Sequence, residues 1–223
     1  MADRQQGGGV RFLCLRHGES ANVVDGLAGA LPLAPLTARG REQATTAGRA
    51  LRDQGVDQGV VRVCASTALR ARETARLVAA ELGPGAAQEV LALPELVEVG
   101  LGREEGSADP AVRARTAAVL HAWVVGQDLD ARVADGENGH QVAARVRRAF
   151  DGLADGFAGG LAGGTVVVVG HVASLTAGLG LLCGLGARVW GTPLAHAAPF
   201  EVHRGDDGRW VCPSWPGAAE AGR

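Results

Sequence analysis

Four runs of apolar residues, separated by longer stretches with helical spacing, constrain the fold of this chain most. The runs are VRFLCL (10–15), VVRVCA (60–65), EVLAL (89–93) and TVVVV (165–169), and weaker ones follow at 200–203 and 209–212. Near-continuous apolar strands are typical of a parallel sheet covered on both faces. Helical patterns occupy 37–54, 67–82, 109–126, 138–157 and 172–186. The sequence therefore predicts an α/β fold, a three-layer α/β/α sandwich around a mostly parallel central sheet.

Neither a repeat nor a linker divides the 223 residues, a length that suits one well-buried domain. We expect a single domain over 10–215, with a flexible N-terminal tail at 1–9 and a C-terminal tail at 216–223. Residues 165–187 carry no formal charge and are long enough to span a bilayer. A histidine, five glycines and the change from β-branched to helical texture favour a strand, a turn and a buried helix instead.

Charge and cysteine content bear on partners and compartment. The 22 basic residues, all arginine, nearly balance 24 acidic ones, so no overall field attracts nucleic acid. The four cysteines are widely spaced, which favours free thiols in a reducing compartment over a zinc site or a disulfide framework. Because MADRQQGGGV lacks the apolar core of a signal peptide, we expect a cytoplasmic protein. No carboxylate-rich metal constellation is evident in the sequence, and we expect no metal, no cofactor and no membrane partner.

Polar side chains follow three of the predicted strands directly. Arg16 and His17 follow the first strand, Arg70 lies shortly after the second, and His171 comes after VVVVG. Ligands of such sheets collect at the carboxyl ends of the strands. The sequence therefore predicts that two histidines and two arginines share one edge of the sheet.

These residue types suit phosphoryl transfer. A neutral imidazole can attack phosphorus, and the transferred group carries negative charge on three oxygens. Arg16 and Arg70 offer permanently charged donor forks that can replace a metal ion, and His171 is a further donor. We expect Thr67 or Ser66 to cap the helix that carries Arg70, so that its positive end also faces the anion.

The departing alkoxide also needs a proton. The acidic loop PELVEVGLGREEG (94–106) contains four carboxyl groups that can supply it. Physical reasoning alone does not choose among these four, which are Glu95, Glu98, Glu104 and Glu105.

Six segments together resemble the histidine phosphatase superfamily, the phosphoglycerate mutase-like group, from residue 11 to about 212. They occur in the order of that family: LRHGES (15–20), APLTARGREQA (34–44), STALRARETA (66–75), LVEVGLGREEG (96–106), DGEN (135–138) and VVVVGHVAS (166–174). The resemblance implies a metal-independent phosphomonoesterase that hydrolyses a small-molecule phosphate ester through a phosphohistidine intermediate.

Site residues follow from the same resemblance. It implies His17 as the nucleophile and Glu98, four residues before Gly102, as the general acid, with Glu95 as the fallback. The phosphoryl group and the substrate would be bound by Arg16, Arg70, His171, Ser20, Asn22 and Val172.

The chain departs from the family pattern at two places. An asparagine is frequent six residues beyond the nucleophilic histidine, but here that position is Val23, and Asn22 lies one residue earlier. In addition, GHVAS stands where the family usually has SHGG. A phosphate contact from Asn22 therefore depends on how the loop is placed, and we expect the larger side chains of GHVAS to narrow the pocket.

Two other functions compete with the phosphatase. In a phosphoglycerate mutase the phosphorylated enzyme returns the group to substrate, but V-E-V-G-L-G stands where those mutases have N-E-R-H-Y-G. A catalytically silent binding module is the second alternative, although all five catalytic positions are filled. The loops at 23–35 and 99–110 would shape the pocket for a small phosphomonoester, and the resemblance is compatible with a homodimer.

Overall fold

The computed structural model describes residues 10–58, 60–87, 89–157 and 164–217. The predicted tail at 1–9 and residues 218–223 of the predicted tail at 216–223 lie outside these ranges. Six strands form one sheet in the order β3-β2-β4-β1-β5-β6. They are β1 (Arg11–Arg16), β2 (Val60–Ser66), β3 (Val90–Leu93), β4 (Thr165–Gly170), β5 (Phe200–Arg204) and β6 (Trp210–Val211).

The sheet is mostly parallel, as the apolar runs predict. Strand β4 pairs in parallel with both β1 and β2, and β2 pairs in parallel with β3. The two weaker runs form β5 and β6, which pair in antiparallel fashion on the far side of β1. Because β4 lies between β1 and β2, the residues that follow these three strands emerge side by side.

Seven α-helices accompany the sheet in the described part of the chain. They are α1 (Ala21–Val24), α2 (Ala38–Asp53), α3 (Leu69–Leu82), α4 (Pro84–Ala87), α5 (Pro110–His121), α6 (Gly139–Phe157) and α7 (Val172–Leu182). Helices α2 and α3 pack on one face of the sheet, and α6 and α7 pack on the other. The fold is a single α/β domain of three layers, which confirms the predicted fold class.

The side chains of β1 contribute alternately to the hydrophobic clusters on the two faces of the sheet. Leu13 and Leu15 join the cluster beneath α2 and α3, whereas Phe12 and Cys14 join the cluster beneath α6 and α7. Side chains of a strand point alternately to its two faces, so a continuous apolar run is what a doubly covered strand requires.

Two predicted helices end earlier than their patterns indicate. Helix α5 ends at His121 and continues as a π-helical turn to Gly126, after which Gln127 adopts a left-handed conformation with φ 57°. Helix α7 ends at Leu182, just before Gly184 with φ 61°. Among the described residues, no helix has both the length and the apolar character needed to cross a membrane.

Candidate active site

The carboxyl ends of β1, β2 and β4 bring the two predicted histidines together. His17 follows β1, and its backbone N–H donates to the carbonyl oxygen of Gly170 at the end of β4 (3.0 Å). The ring of His171, the next residue after β4, lies with its centroid 5.0 Å from that of His17, in an edge-on arrangement. Both side chains are buried.

Hydrogen bonds define the state of the His17 ring. Its Nδ1 lies 2.6 Å from the carbonyl oxygen of Gly18, which can only accept, so Nδ1 carries the hydrogen and Nε2 carries the lone pair. Arg70 donates its Nε–H to that Nε2 at 3.2 Å. Burial, followed by the charge of Arg70, holds the pKa of His17 well below its usual value. The ring is therefore a neutral imidazole.

The backbone that carries His17 is fixed from two sides. The N–H of Gly18 donates to Thr74 Oγ1 (3.0 Å), and that hydroxyl donates in turn to the carbonyl oxygen of Arg70 (2.8 Å). Gly18 lies directly against Gly40 of α2, and a Cβ on either glycine would collide with the opposing backbone. The turn after β1 thus needs glycine at both positions.

The segment APLTARGREQA holds the turn after His17. The N–H of Glu19 donates to Gln43 Oε1 (2.8 Å), and the hydroxyl of Thr37 donates to Glu19 Oε1 (2.8 Å). Thr37 also accepts from the N–H of Gly40 as the N-cap of α2. Residues of APLTARGREQA therefore hold the backbone of LRHGES in place, which gives the two motifs a shared structural role.

Both predicted arginines lie beside His17. Arg70 is 1% exposed, and its Nη1 and Nη2 donate to the carbonyl oxygens of Leu31 and Ala30, each at 2.8 Å. Arg16 donates its Nη1 to the carbonyl oxygen of Leu194 (2.9 Å). Desolvation lowers the pKa of both guanidinium groups, but arginine starts high enough to stay charged.

His171 is held by a residue that the sequence assigns to another role. Its Nε2 lies 2.8 Å from Ser66 Oγ, which also accepts the N–H of Ala68 at 3.1 Å. The Ser66 hydroxyl can either donate to Nε2 or accept from it, and the arrangement in which it donates leaves Nδ1–H as the donor of His171. The prediction that Ser66 or Thr67 caps the helix is wrong, because the N-cap of α3 is Ala68, without a side-chain cap.

Two buried nitrogens at this site remain available. Among the described residues, neither Arg16 Nε nor His171 Nδ1 has a hydrogen-bond partner. Burial first, and then neighbouring positive charge such as that of Arg70, lowers the pKa of His171 well below its usual value. A neutral Nδ1–H and a guanidinium N–H without partners are suited to bind an anion, since buried donors are normally paired.

Of the four carboxyl groups in the acidic loop, Glu98 is the one that lines the cavity of His17. Its Oε1 accepts the N–H of Ser174, at the start of α7, at 2.8 Å, and its Oε2 accepts that of Ala173 at 3.2 Å. Glu95 lines a different cavity. The other two are occupied elsewhere: Glu104 lies 3.5 Å from Arg115, and Glu105 accepts the N–H groups of Ala30 and Leu101.

A buried arginine on α6 holds the backbone that carries Glu98. Arg145 donates its Nη1 to the carbonyl oxygens of Glu95 (2.8 Å) and Val97 (2.7 Å). Its Nε and Nη2 donate to Glu137 (2.8 and 3.0 Å), which also accepts the N–H of Gly100. Sequence reasoning missed Arg145, and the only signal was Glu137 in the DGEN segment.

Of the three other residues predicted to bind the substrate, two line the cavity and one does not. Asn22 and Val172 line the cavity of His17. Ser20 is fully buried and donates its hydroxyl to Asn22 Oδ1 (2.8 Å), so it positions Asn22. His196, which the sequence did not single out, donates its Nδ1–H to the carbonyl oxygen of His17 (2.9 Å).

The cavity beside His17 has a volume of about 510 Å³, within the range typical of small-molecule sites. Loops 23–35 and 99–110 both contribute residues to its lining. Ala28 donates its N–H to the carbonyl oxygen of Ser107 and accepts from the N–H of Gly106, both at 2.9 Å. The two loops predicted to shape the pocket are thus joined to each other.

Known proteins share this architecture. Alpha-ribazole phosphatase from Shigella flexneri is 25% identical, with a TM-score of 0.70, and the match covers 96% of this chain and 99% of that chain. A mycobacterial glucosyl-3-phosphoglycerate phosphatase is 25% identical, with a TM-score of 0.72 and coverage of 94% and 99%. Phosphoglycerate mutase from Bacillus anthracis is 20% identical, with a TM-score of 0.72 and coverage of 95% of each chain.

No curated protein matches the chain in sequence. In contrast, the family model described as histidine phosphatase superfamily (branch 1) matches residues 12–216. The matched segment contains all the motifs from LRHGES to VVVVGHVAS, together with the residues that surround His17. The chain therefore belongs to the histidine phosphatase superfamily.

Proposed function

We propose that this chain is a metal-independent phosphomonoesterase that hydrolyses a small-molecule phosphate ester through a phosphohistidine at His17. The observation that carries the proposal is the neutral His17 ring, whose Nε2 lone pair meets Arg70 while its Nδ1–H is fixed on the Gly18 carbonyl. An unprotonated nitrogen beside a fixed cation is what in-line attack on a phosphate dianion requires.

In the first step, Nε2 of His17 forms a bond to phosphorus while the bond from phosphorus to the ester oxygen breaks. The departing alkoxide takes a proton from the Glu98 carboxyl group, which leaves a carboxylate. In the second step, water attacks phosphorus, its proton goes to Glu98, and the P–N bond electrons return to Nε2. Inorganic phosphate and the free alcohol are the products, and Glu98 is protonated again.

Charge on the transferred group is met by fixed donors in this proposal. Arg16, Arg70 and the Nδ1–H of His171 surround His17 and take the place of metal ions. Removal of one such donor in other enzymes costs about 2.7–4 kcal/mol of transition-state stabilisation. Three donors from three separate elements therefore supply a large part of the barrier reduction.

The test is hydrolysis of p-nitrophenyl phosphate by the wild type and by His17→Ala, with rapid acid-free quenching to trap phosphate on the protein. We expect phosphate bound to the wild type in a bond that is labile to acid and stable to base, as a phosphoramidate is. His17→Ala should show neither the adduct nor turnover. Full turnover by His17→Ala would overturn the proposal.

Two further measurements separate the alternatives. Activity should survive EDTA, because arginines supply the charge; a large loss that Mg²⁺ restores would contradict metal independence. With 3-phosphoglycerate and a trace of 2,3-bisphosphoglycerate, isomerisation much faster than phosphate release would favour the mutase. A cytoplasmic location and a homodimer stay predictions from the sequence.

A further inference from the structure

The cavity beside His17 has a polar floor and apolar walls. Arg16, Arg70 and Glu98 lie at the floor with the nucleophile. The walls come from α1, α5, α7, the two joined loops and the segment before β5. Their polar members are Asn22, Arg113 and Thr116, and most of the other side chains are apolar: Val23, Leu27, Leu101, Leu120, Val172 and Pro193. Beyond the phosphoryl end, the site therefore offers a ligand mainly hydrophobic contact.

Two of these wall positions are the places where the chain departs from its family. Val23 stands where an asparagine is frequent, and Val172 stands in GHVAS where a glycine is usual. Val23 is 38% exposed, which leaves part of an apolar side chain uncovered at the cavity. Asn22 still lines the cavity beside Val23, and Val172 adds hydrocarbon where a minimal side chain is usual.

The cavity is poor in cations that could bind a second anion. Apart from Arg16 and Arg70, the cation among its lining residues is Arg113. Arg113 donates its Nη1 to the carbonyl oxygens of Gly26 (2.7 Å) and Ala108 (3.0 Å), so it joins the two loops at the rim. A polyphosphorylated or carboxylated substrate could place its second charge near Arg113 at the rim, but elsewhere that charge would lie against apolar walls, which is unfavourable.

We propose that the substrates of this site are phosphate monoesters of apolar alcohols, alkyl or aromatic, in preference to phosphorylated sugars or phosphorylated acids. The inference narrows the proposed function and rests on it. The phosphate binds at the floor beside His17, and the hydrocarbon body buries the walls formed by Val23, Leu120 and Val172.

The experiment is a chain-length series of ethyl, butyl and hexyl phosphate. Their leaving groups have nearly the same basicity, so the chemistry stays constant while the buried hydrocarbon grows. We expect kcat/KM to rise about fourfold per added methylene group until the cavity is filled. Hexyl phosphate should exceed glucose 6-phosphate by about tenfold or more. A flat series, or faster hydrolysis of glucose 6-phosphate, would overturn the inference.

A matched pair of variants locates the effect on the wall. Val23→Asn should reduce the rise of kcat/KM with chain length. Val24→Asn is the control, since Val24 belongs to the same short helix, is 63% exposed and is not among the lining residues of the cavity. In Val24→Asn, kcat/KM should rise with chain length as steeply as in the wild type. If kcat/KM of Val23→Asn rises with chain length as steeply as in the wild type, the alkyl group of the substrate does not contact Val23, which counts against the inference.

Parallel assays with p-nitrophenyl phosphate keep the two proposals apart. If this ester is hydrolysed in a His17-dependent manner while the alkyl series is flat, the phosphatase stands and the apolar preference fails. If neither p-nitrophenyl phosphate nor any alkyl phosphate is hydrolysed, the proposed function itself fails.

Discussion

Glu98 is anchored by the same helix that follows His171. Its two carboxyl oxygens accept the N–H groups of Ala173 and Ser174, the second and third residues of α7. The free N–H groups at the helix N-terminus hold the carboxyl group in place, so the proposed acid and the His171 donor keep a fixed spacing. Together with the helix dipole, however, these N–H groups favour the ionised form of the carboxyl group. The proton that acid catalysis needs is therefore favoured only when the phosphate dianion is bound, because its negative charge opposes ionisation of Glu98.

Glu98→Gln should separate esters by their leaving groups. We expect kcat/KM for benzyl phosphate to fall about 10²–10⁴-fold, the usual contribution of a general acid. For p-nitrophenyl phosphate kcat/KM should change little, because nitrophenolate leaves without a proton. Glu95→Gln is the control and should affect neither ester, since Glu95 lies in another cavity. Equal losses for both esters in Glu98→Gln would refute the acid role.

Sequence reasoning predicted the histidines and arginines that meet at the sheet edge, but not the residues that hold them in place. His17, Arg16, Arg70 and His171 were predictable because each lies at or near the end of a strand and the sheet brings those ends together. The Ser66–His171 hydrogen bond was not predictable, since it joins residues 105 positions apart across β2 and β4. His196 reaches His17 from the loop before β5, and no local pattern signals that contact.

One buried side chain, that of Arg145, holds the backbone of the loop that carries Glu98. Arg145, 7% exposed, directs its guanidinium group to backbone carbonyl oxygens of 95–98 and to the carboxylate of Glu137. A planar fork can serve several acceptors at once, which an ammonium group cannot reproduce in the same geometry. Helix α6 therefore positions the proposed acid without contacting substrate.

Arg145→Lys should lower the stability of the fold and reduce general-acid catalysis by Glu98. We expect the free energy of unfolding in urea to fall by about 2–4 kcal/mol, because Glu137 and several carbonyl oxygens lose buried partners. We also expect kcat/KM for benzyl phosphate to fall more than that for p-nitrophenyl phosphate, as the acid shifts. Arg147→Lys, at an exposed position of the same helix, is the control for both measurements. An unchanged ratio between the two esters would limit Arg145 to a structural role.

The long elements were predictable and the short ones were not. Helices α2, α3 and α6 and the four apolar strands follow their patterns to within one or two residues. The helices span several turns and so show a period, whereas the buried strands are visible as apolar runs. Single-turn helices such as α1 and α4 have no period to read. The π-helical turn at 122–126 continues the pattern of α5, so its altered geometry is invisible in the sequence.

Buried neutral histidines couple the stability of the molecule to pH. Burial lowers the pKa of both His17 and His171, whereas in the unfolded chain a histidine titrates near about 6.5. Below that pH the unfolded state binds more protons than the folded state does. The free energy of unfolding therefore falls as the pH falls below about 6.5, and it is fully retained above that value.

His17→Asn should reduce this dependence. In urea titrations between about pH 6 and 5, we expect the free energy of unfolding of the variant to change less steeply than that of the wild type, by about 1.4 kcal/mol per pH unit. Above about pH 8 the two proteins should show the same slope, because the histidines are neutral in both states. Identical slopes in the acidic range would contradict a buried, neutral His17.

The hydrogen bond between Arg70 and His17 Nε2 has a consequence for selectivity. In the resting molecule the Nε–H of Arg70 occupies the lone pair of His17 Nε2. The imidazole is therefore a weak nucleophile until something breaks this hydrogen bond. A dianion does so by attracting that N–H itself, whereas an uncharged electrophile, such as a carboxylic ester or a phosphotriester, cannot. We expect slow acylation of His17 by neutral esters, and Arg70→Met should accelerate it. Discrimination against uncharged esters would thus begin in the empty pocket.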